Sequence, residues 1–274
     1  MTRTRVIAAL IMAPAAICAI LLLPSAWLAA LSAIVFLTGL WEWLKLSGVA
    51  DSLQRTVLLT LNVLLMVLLV WGDAGSLVLL QLTTLVGIGG WLLAAAWLRH
   101  YEFGAVPTPA SRICKLVAGT LAIVPAWTAL LVLHADPHNG PRWLLTALTI
   151  VWAADSGAYF VGKHWGRRKL APRISPNKTW AGVGGGLVAG LLAALLFGWI
   201  AGVALPKVPA LLLTAAVTVA ASVLGDLFES LVKRHAGAKD SSHLIPGHGG
   251  VLDRVDGVLA ALPVFAIGKE ILGF

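Results

Sequence analysis

Nine apolar runs recur along the 274 residues, at roughly 5–23, 26–45, 56–71, 76–98, 115–133, 142–162, 182–204, 208–230 and 251–272. A helix that crosses a bilayer needs about 20 predominantly apolar residues, since lipid offers no partner to the backbone and every N–H and C=O must be satisfied within the segment. The first and third runs are short; the others meet that length or nearly so. Charged residues make up 12% of the chain, against roughly 25% in ordinary soluble domains. Together these features exclude a soluble domain and predict an all-α polytopic integral membrane protein of about nine transmembrane helices.

The charges between the runs set the expected topology. With a cytoplasmic N-terminus, seventeen of the twenty lysines and arginines fall on the inner side, and only Arg142, Lys207 and Lys269 fall outside, as expected when basic loops are retained in the cytoplasm. The net charge of +8 would suggest nucleic acid in a soluble chain. Here it reports topology and contact with anionic lipid headgroups, so membrane lipids are expected partners and nucleic acid is not. Cys18 and Cys114 form neither a CxxC pair nor a zinc-ligand spacing. Residues 99–114 contain the longest Pro-bearing break before the polar half. They divide the chain into N-terminal supporting helices, 1–110, and a C-terminal transmembrane catalytic region, 111–274. Trp41, Trp43, Trp71, Trp97, Trp143 and Trp199 lie near the ends of runs and are expected as interfacial anchors. Glu42, the one acid at a membrane edge in the first half, is expected to pair with Lys45 three residues on.

The costliest stretch is 230–256, SLVKRHAGAKDSSHLIPGHGGVLDRVD, which carries seven charged side chains between two membrane-length runs. An ionisable group near hydrocarbon costs at least about 2.5–3.5 kcal/mol on insertion scales, so such a cluster marks a functional site by default. Upstream, Asp226, Ser230 and Lys233 share one helical face, with Glu229 and Arg234 beside it; downstream, Asp253 and Asp256 share another. The intervening Pro246-Gly247-His248-Gly249-Gly250 supplies backbone freedom and exposed amides suited to an anion. Converging carboxylates need a cation among them. Lysine and arginine would make a structural ion-pair cluster. Magnesium suits the pattern better, because it takes oxygen ligands and leaves coordination positions for water and substrate phosphates. Acids for a metal beside Lys178, Lys233, Arg234, Lys239 and Arg254 describe a phosphoryl- or nucleotidyl-transfer site, with His248 donating to phosphate.

Two upstream segments add to it. Asp155 and Tyr159 stand four apart on one face near the cytoplasmic end of the sixth run. The loop that follows carries six basic residues from Lys163 to Lys178, with Gly166, Pro172 and Pro176 preventing a helix through it. On charge alone that is a headgroup-binding loop. Its SPNKT, however, delivers Lys178 and Thr179 to the first turn of the next helix, where free amides and the helix dipole attract phosphate. The next helix places Gly182, Gly186 and Gly190 on one face, a spacing that brings helices close, whether within one chain or between the chains of a homodimer.

Ser230, Lys233-Arg234, Lys239-Asp240, Pro246, His248-Gly249-Gly250, Asp253-Arg254 and Asp256 stand at the spacing of the signature of phosphatidate cytidylyltransferases (CDP-diacylglycerol synthases), and the chain resembles that family. DSGAYFVGKHWGR and SPNKTWAG are also similar to family segments, so the resemblance covers roughly residues 140–270. Two positions depart from the pattern: Ala181, where the family usually has an acid, and Gly257, where it often has serine.

The resemblance implies transfer of a cytidylyl group from CTP to phosphatidate, giving CDP-diacylglycerol and pyrophosphate. It implies catalytic roles for Asp226, Lys233, Asp253, Arg254 and Asp256, one or two magnesium ions on Asp226, Asp253 and Asp256, and substrate contacts from Asp155, Tyr159, Lys178, Thr179, Ser230, Arg234, Lys239, His248, Gly249 and Gly250. A bacterial inner membrane with the site on the cytoplasmic side is the expected location. A CTP-dependent lipid-alcohol kinase would use a similar site. An ion-coupled transporter would also place acids near broken helices, but leaves the neighbouring lysines and arginines unexplained.

Overall fold

The computed structural model describes residues 2–73, 75–245 and 249–274, with side chains from residue 12 onward. Among these, nine α-helices form: α1 (Thr2–Leu22), α2 (Ser25–Leu46), α3 (Ser52–Asp73), α4 (Val78–Arg99), α5 (Pro109–His134), α6 (Gly140–Trp165), α7 (Trp180–Ala201), α8 (Val208–His235) and α9 (Leu252–Leu272). Between α6 and α7 lies a two-stranded antiparallel sheet, β1 (Lys169–Ala171) and β2 (Ser175–Thr179). The chain is a helical integral membrane protein. Seven helices among the described residues, α2 to α8, are long and apolar enough to cross a bilayer. α9 carries Asp253, Arg254 and Asp256 at one end and Lys269 and Glu270 at the other, which sets its composition apart.

Local chemistry explains where the helices begin. α5 starts at Pro109 behind Thr108, whose hydroxyl accepts from Ser111 N while Ser111 Oγ accepts from Thr108 N, a reciprocal cap. The α3–α4 turn closes on Asp73, whose carboxylate accepts from Leu77 N at 2.7 Å and Leu79 N at 2.9 Å. α7 is capped by Thr179, which accepts from Gly182 N at 3.1 Å.

Contacts at the ends show that consecutive helices alternate in direction. At one end His134 bonds Ser25 at 2.9 Å and Ile20 O at 3.0 Å, Lys269 pairs with Asp136, and Lys207 donates to Leu272 O at 2.9 Å. At the other, Trp43 Nε1 donates to Lys115 O at 2.8 Å, His235 bonds Tyr101 O at 2.8 Å, and Arg173 pairs with Glu102. α5 is buried nearly all round from Ala122 to His134 and forms the central post, as expected of a helix with no polar face.

Tryptophan placement corrects part of the expectation. Trp71 and Trp199 are 80% and 75% exposed, but Trp43 and Trp143 are buried. Trp43, Trp91 and Trp97 surround Phe228 of α8 with ring centroids 5.5–6.1 Å away, so these rings join the two halves of the chain. The glycine stripe of α7 is used within the molecule. A β-carbon on Gly182 or Gly186 would stand 3.0 Å from Ala158 O or 2.8 Å from Ala154 O of α6, closer than a packed interface tolerates. An association between copies would have to use another face.

Candidate active site

Close packing of α6 on α7 opens a cavity at the end where the β1–β2 hairpin lies. It measures about 690 Å³ and is lined by Asp155, Tyr159 and Lys163 of α6, Lys178 and Thr179 of the hairpin, Gly182 and Gly186 of α7, and Ser222 and Asp226 of α8. The basic loop is thus partly a strand pair, with Lys169 opposite Thr179 and Ala171 opposite Ser175. Lys178 stands in β2 rather than in the first helical turn, and reaches across the cavity to pair with the Asp226 carboxylate. Thr179 lines the wall but spends its side-chain oxygen on the α7 cap.

The charges around this cavity act on one another. Asp155 is within electrostatic reach of Asp226, Lys178 and Arg254, and Asp256 is within reach of Asp226, Asp155 and Lys178. Ser230 Oγ approaches Asp226 Oδ1 at 3.4 Å, and Gly257 N donates to Asp256 Oδ1 at 2.7 Å. Tyr159 is exposed at the cavity with Lys163 Nζ 5.8 Å from its ring centre.

Lys233 and Asp253 belong instead to a second, buried cluster with Glu229. Lys233 lies between Glu229 at 2.5 Å and Asp253 at 2.7 Å, and none of the three is among the cavity-lining residues. Asp253 Oδ2 accepts from Ser241 N at 2.9 Å, Ser241 Oγ at 2.9 Å and Gly250 N at 2.8 Å. Its two oxygens therefore already have three donors of their own, Lys233 and two backbone amides, and share the Ser241 hydroxyl with Glu42. Gly249 adopts a left-handed φ of 86° against this carboxylate, where a β-carbon would lie 2.6 Å from Asp253 Oδ2. Arg234 donates to Ile174 O at 3.2 Å and Ala238 O at 3.3 Å, tying the hairpin to the end of α8, and Lys239 is exposed on the following loop. His248 lies outside the described residues.

Glu42 differs most from expectation. It is buried, Lys45 is exposed, and its partners come from the far end of the chain: Ser241, Ser242, Val251 and Leu252. An acid inside a membrane-length run signals a need for donors, but nothing nearby in sequence identifies them.

The carboxylates that could hold a hard divalent cation are those in and beside the cavity. Asp226 lines the cavity, Asp256 and Asp155 add negative charge within reach, and magnesium is commonly held by only one or two carboxylates. No group of three or more His, Cys, Asp or Glu side chains is assembled as a metal site among the described residues. Of the expected trio, Asp226 and Asp256 act on each other while Asp253 is held by Lys233, Ser241 and Gly250.

A polytopic helical membrane protein in which one cavity gathers Asp155, Asp226 and Lys178 can bring both acids and a lysine to bear on a charged substrate. The chain belongs to the cytidylyltransferase family, which it matches over residues 3–272. It is 42% identical over 269 residues to the phosphatidate cytidylyltransferase of Pseudomonas aeruginosa, covering 97% of this chain and 96% of the relative. To the phosphatidate cytidylyltransferase of Haemophilus influenzae it is 37% identical over 281 residues, covering 97% and 98%. The Bacillus subtilis protein of the same name is 48% identical over 124 residues, 45% of this chain.

Proposed function

We propose that this protein transfers the cytidylyl group of CTP to phosphatidate, forming CDP-diacylglycerol and releasing pyrophosphate. The observation that carries this is the cavity in which Lys178 meets Asp226, with Asp155, Asp256 and Arg254 in electrostatic reach, in a chain of this family.

The chemistry suits these residues. A phosphate oxygen of phosphatidate attacks the α-phosphorus of CTP, the bond to the β-phosphate breaks, and pyrophosphate leaves. A phosphomonoester with a second pKa of about 6 is already largely dianionic at neutral pH, so no strong general base is required. The obstacle is repulsion between two polyanions. A magnesium ion held by Asp226 and Asp256 would supply charge neutralisation for the nucleotide phosphates and the departing pyrophosphate. Lys178, released from Asp226, is placed to hold phosphate oxygens, and Arg254 adds positive potential from the start of α9. Tyr159 and Asp155 border the same space from α6 and are positioned to orient the nucleotide. Ala154, Ala158, Val183, Val219 and Val223 give the cavity an apolar part of its wall, which suits the lipid end of phosphatidate.

A cytoplasmic N-terminus, nine spans and a site open to the cytoplasm are part of this proposal. They are supported by the seventeen inner basic residues and by the nine alternating helices among the described residues. The bacterial relatives support an inner-membrane location. Purified protein in lipid nanodiscs is expected to release pyrophosphate only when CTP, phosphatidate and magnesium are all present. EDTA should stop release and excess magnesium restore it; release that continues under EDTA would exclude the metal.

A further inference from the structure

We propose that Glu42, on α2 in the N-terminal half, is a positioning residue for cytidylyl transfer: its carboxylate caps α9 from another helix and so fixes Arg254 and Asp256 relative to Asp226. This rests on the reaction proposed above. α9 begins at Leu252 with Val251 as its N-cap, whose side chain makes no capping bond, and Asp253 of the first turn reaches back to Gly250 N and leaves Val251 N and Leu252 N to another acceptor. The amides exposed there need acceptors and favour negative charge. Glu42 supplies both. Oε2 accepts from Leu252 N at 2.8 Å and Ser241 Oγ at 2.8 Å, and Oε1 from Val251 N at 3.1 Å and Ser242 Oγ at 2.5 Å.

The surrounding geometry is built to this carboxylate. Ser241 Oγ lies 2.8 Å from Glu42 and 2.9 Å from Asp253, so its single proton serves one acid at a time while backbone amides serve both. A β-carbon on Gly250 would overlap the Ser241 hydroxyl and both Glu42 oxygens. Glu42 is 4% exposed and does not line the cavity, so it acts through what it holds. Arg254 and Asp256 lie in the first two turns of the helix it caps. Loss of the cap leaves the start of α9 free to shift against α8, which it approaches so closely that a β-carbon on Gly225 would overlap Asp256 O.

Glu42→Gln isolates this role. Each carboxylate oxygen receives a backbone N–H, so the amide nitrogen must face a donor whichever way it turns. In nanodiscs, with the folded fraction measured by gel filtration and thermal melting, kcat per folded molecule is expected to fall about 100-fold, the cost of misplacement on the order of 1 Å. KM for phosphatidate should stay within about twofold of the wild type, because the apolar walls are untouched. Ser241→Ala, which removes one hydroxyl and adds no bulk, tests the same cap where Glu42→Gln fails to fold, with kcat expected to fall about tenfold. Wild-type turnover together with unaltered kcat per folded molecule in both variants would overturn the inference alone, as would a loss explained wholly by fewer folded molecules. Absence of turnover in the wild type would overturn the proposed reaction and this inference with it.

Discussion

Asp226→Asn is expected to lower cytidylyl transfer on the order of 10³-fold while the protein still inserts and folds. Asp226 lines the cavity and is half-buried, with Lys178 as its ion-pair partner and Ser230 as a distant donor. An exchange of one oxygen for nitrogen there creates no void and leaves no buried charge alone, so the cost in stability is small. The charge that meets Lys178 and would hold magnesium is nevertheless gone. Initial rates of pyrophosphate release, normalised to folded protein, measure the effect. A rate near that of the wild type would remove Asp226 from the machinery.

Lys233→Met is expected to act in the opposite proportion, with thermal stability falling first. The lysine side chain is 10% exposed and lies between Glu229, 2% exposed, and Asp253, 7% exposed. Lys233 Nζ, 2.5 Å from Glu229 Oε2, is the counter-ion of that buried carboxylate among the described residues. Removing one member of a buried ion pair costs about 3–5 kcal/mol, because the other charge stays buried and uncompensated. A detergent melting curve should show a clear downward shift, and adding Glu229→Gln should recover part of it by removing the stranded charge. Unchanged melting in Lys233→Met would show that this lysine is not the internal counter-ion.

These contrasts arise from a division that the sequence only half displays. The charged stretch was legible as costly, and the helical spacing of Asp226, Ser230 and Lys233 is real, but periodicity cannot tell which side of a helix faces a cavity. Lys233 therefore read as a phosphate-facing cation, whereas Glu229 and Asp253 enclose it. Helix positions were legible because apolar length is a local property: the run at 76–98 became Val78–Arg99, and 142–162 became Gly140–Trp165. The short strands around Pro172 were not, since runs of three and five residues, KLA and SPNKT, are too short to carry an alternating pattern. Trp43 and Trp143 looked like interfacial rings, because position along a helix was visible and burial by neighbouring helices was not.

Glu42 shows the limit most clearly. Its nearest opposite charge in sequence is Lys45, yet its donors lie 199 to 210 residues away. Only tertiary packing reveals that the N-terminal half reaches the start of α9.

The transfer of cytidylyl rather than phosphoryl groups is tested most directly by following two labels. Protein in nanodiscs containing phosphatidate and magnesium is given CTP labelled in either the α- or the γ-phosphate. Cytidylyl transfer sends the α-label into lipid and the γ-label into pyrophosphate in equal amounts. Lipid that acquires the γ-label and leaves the α-label on free CDP would contradict it.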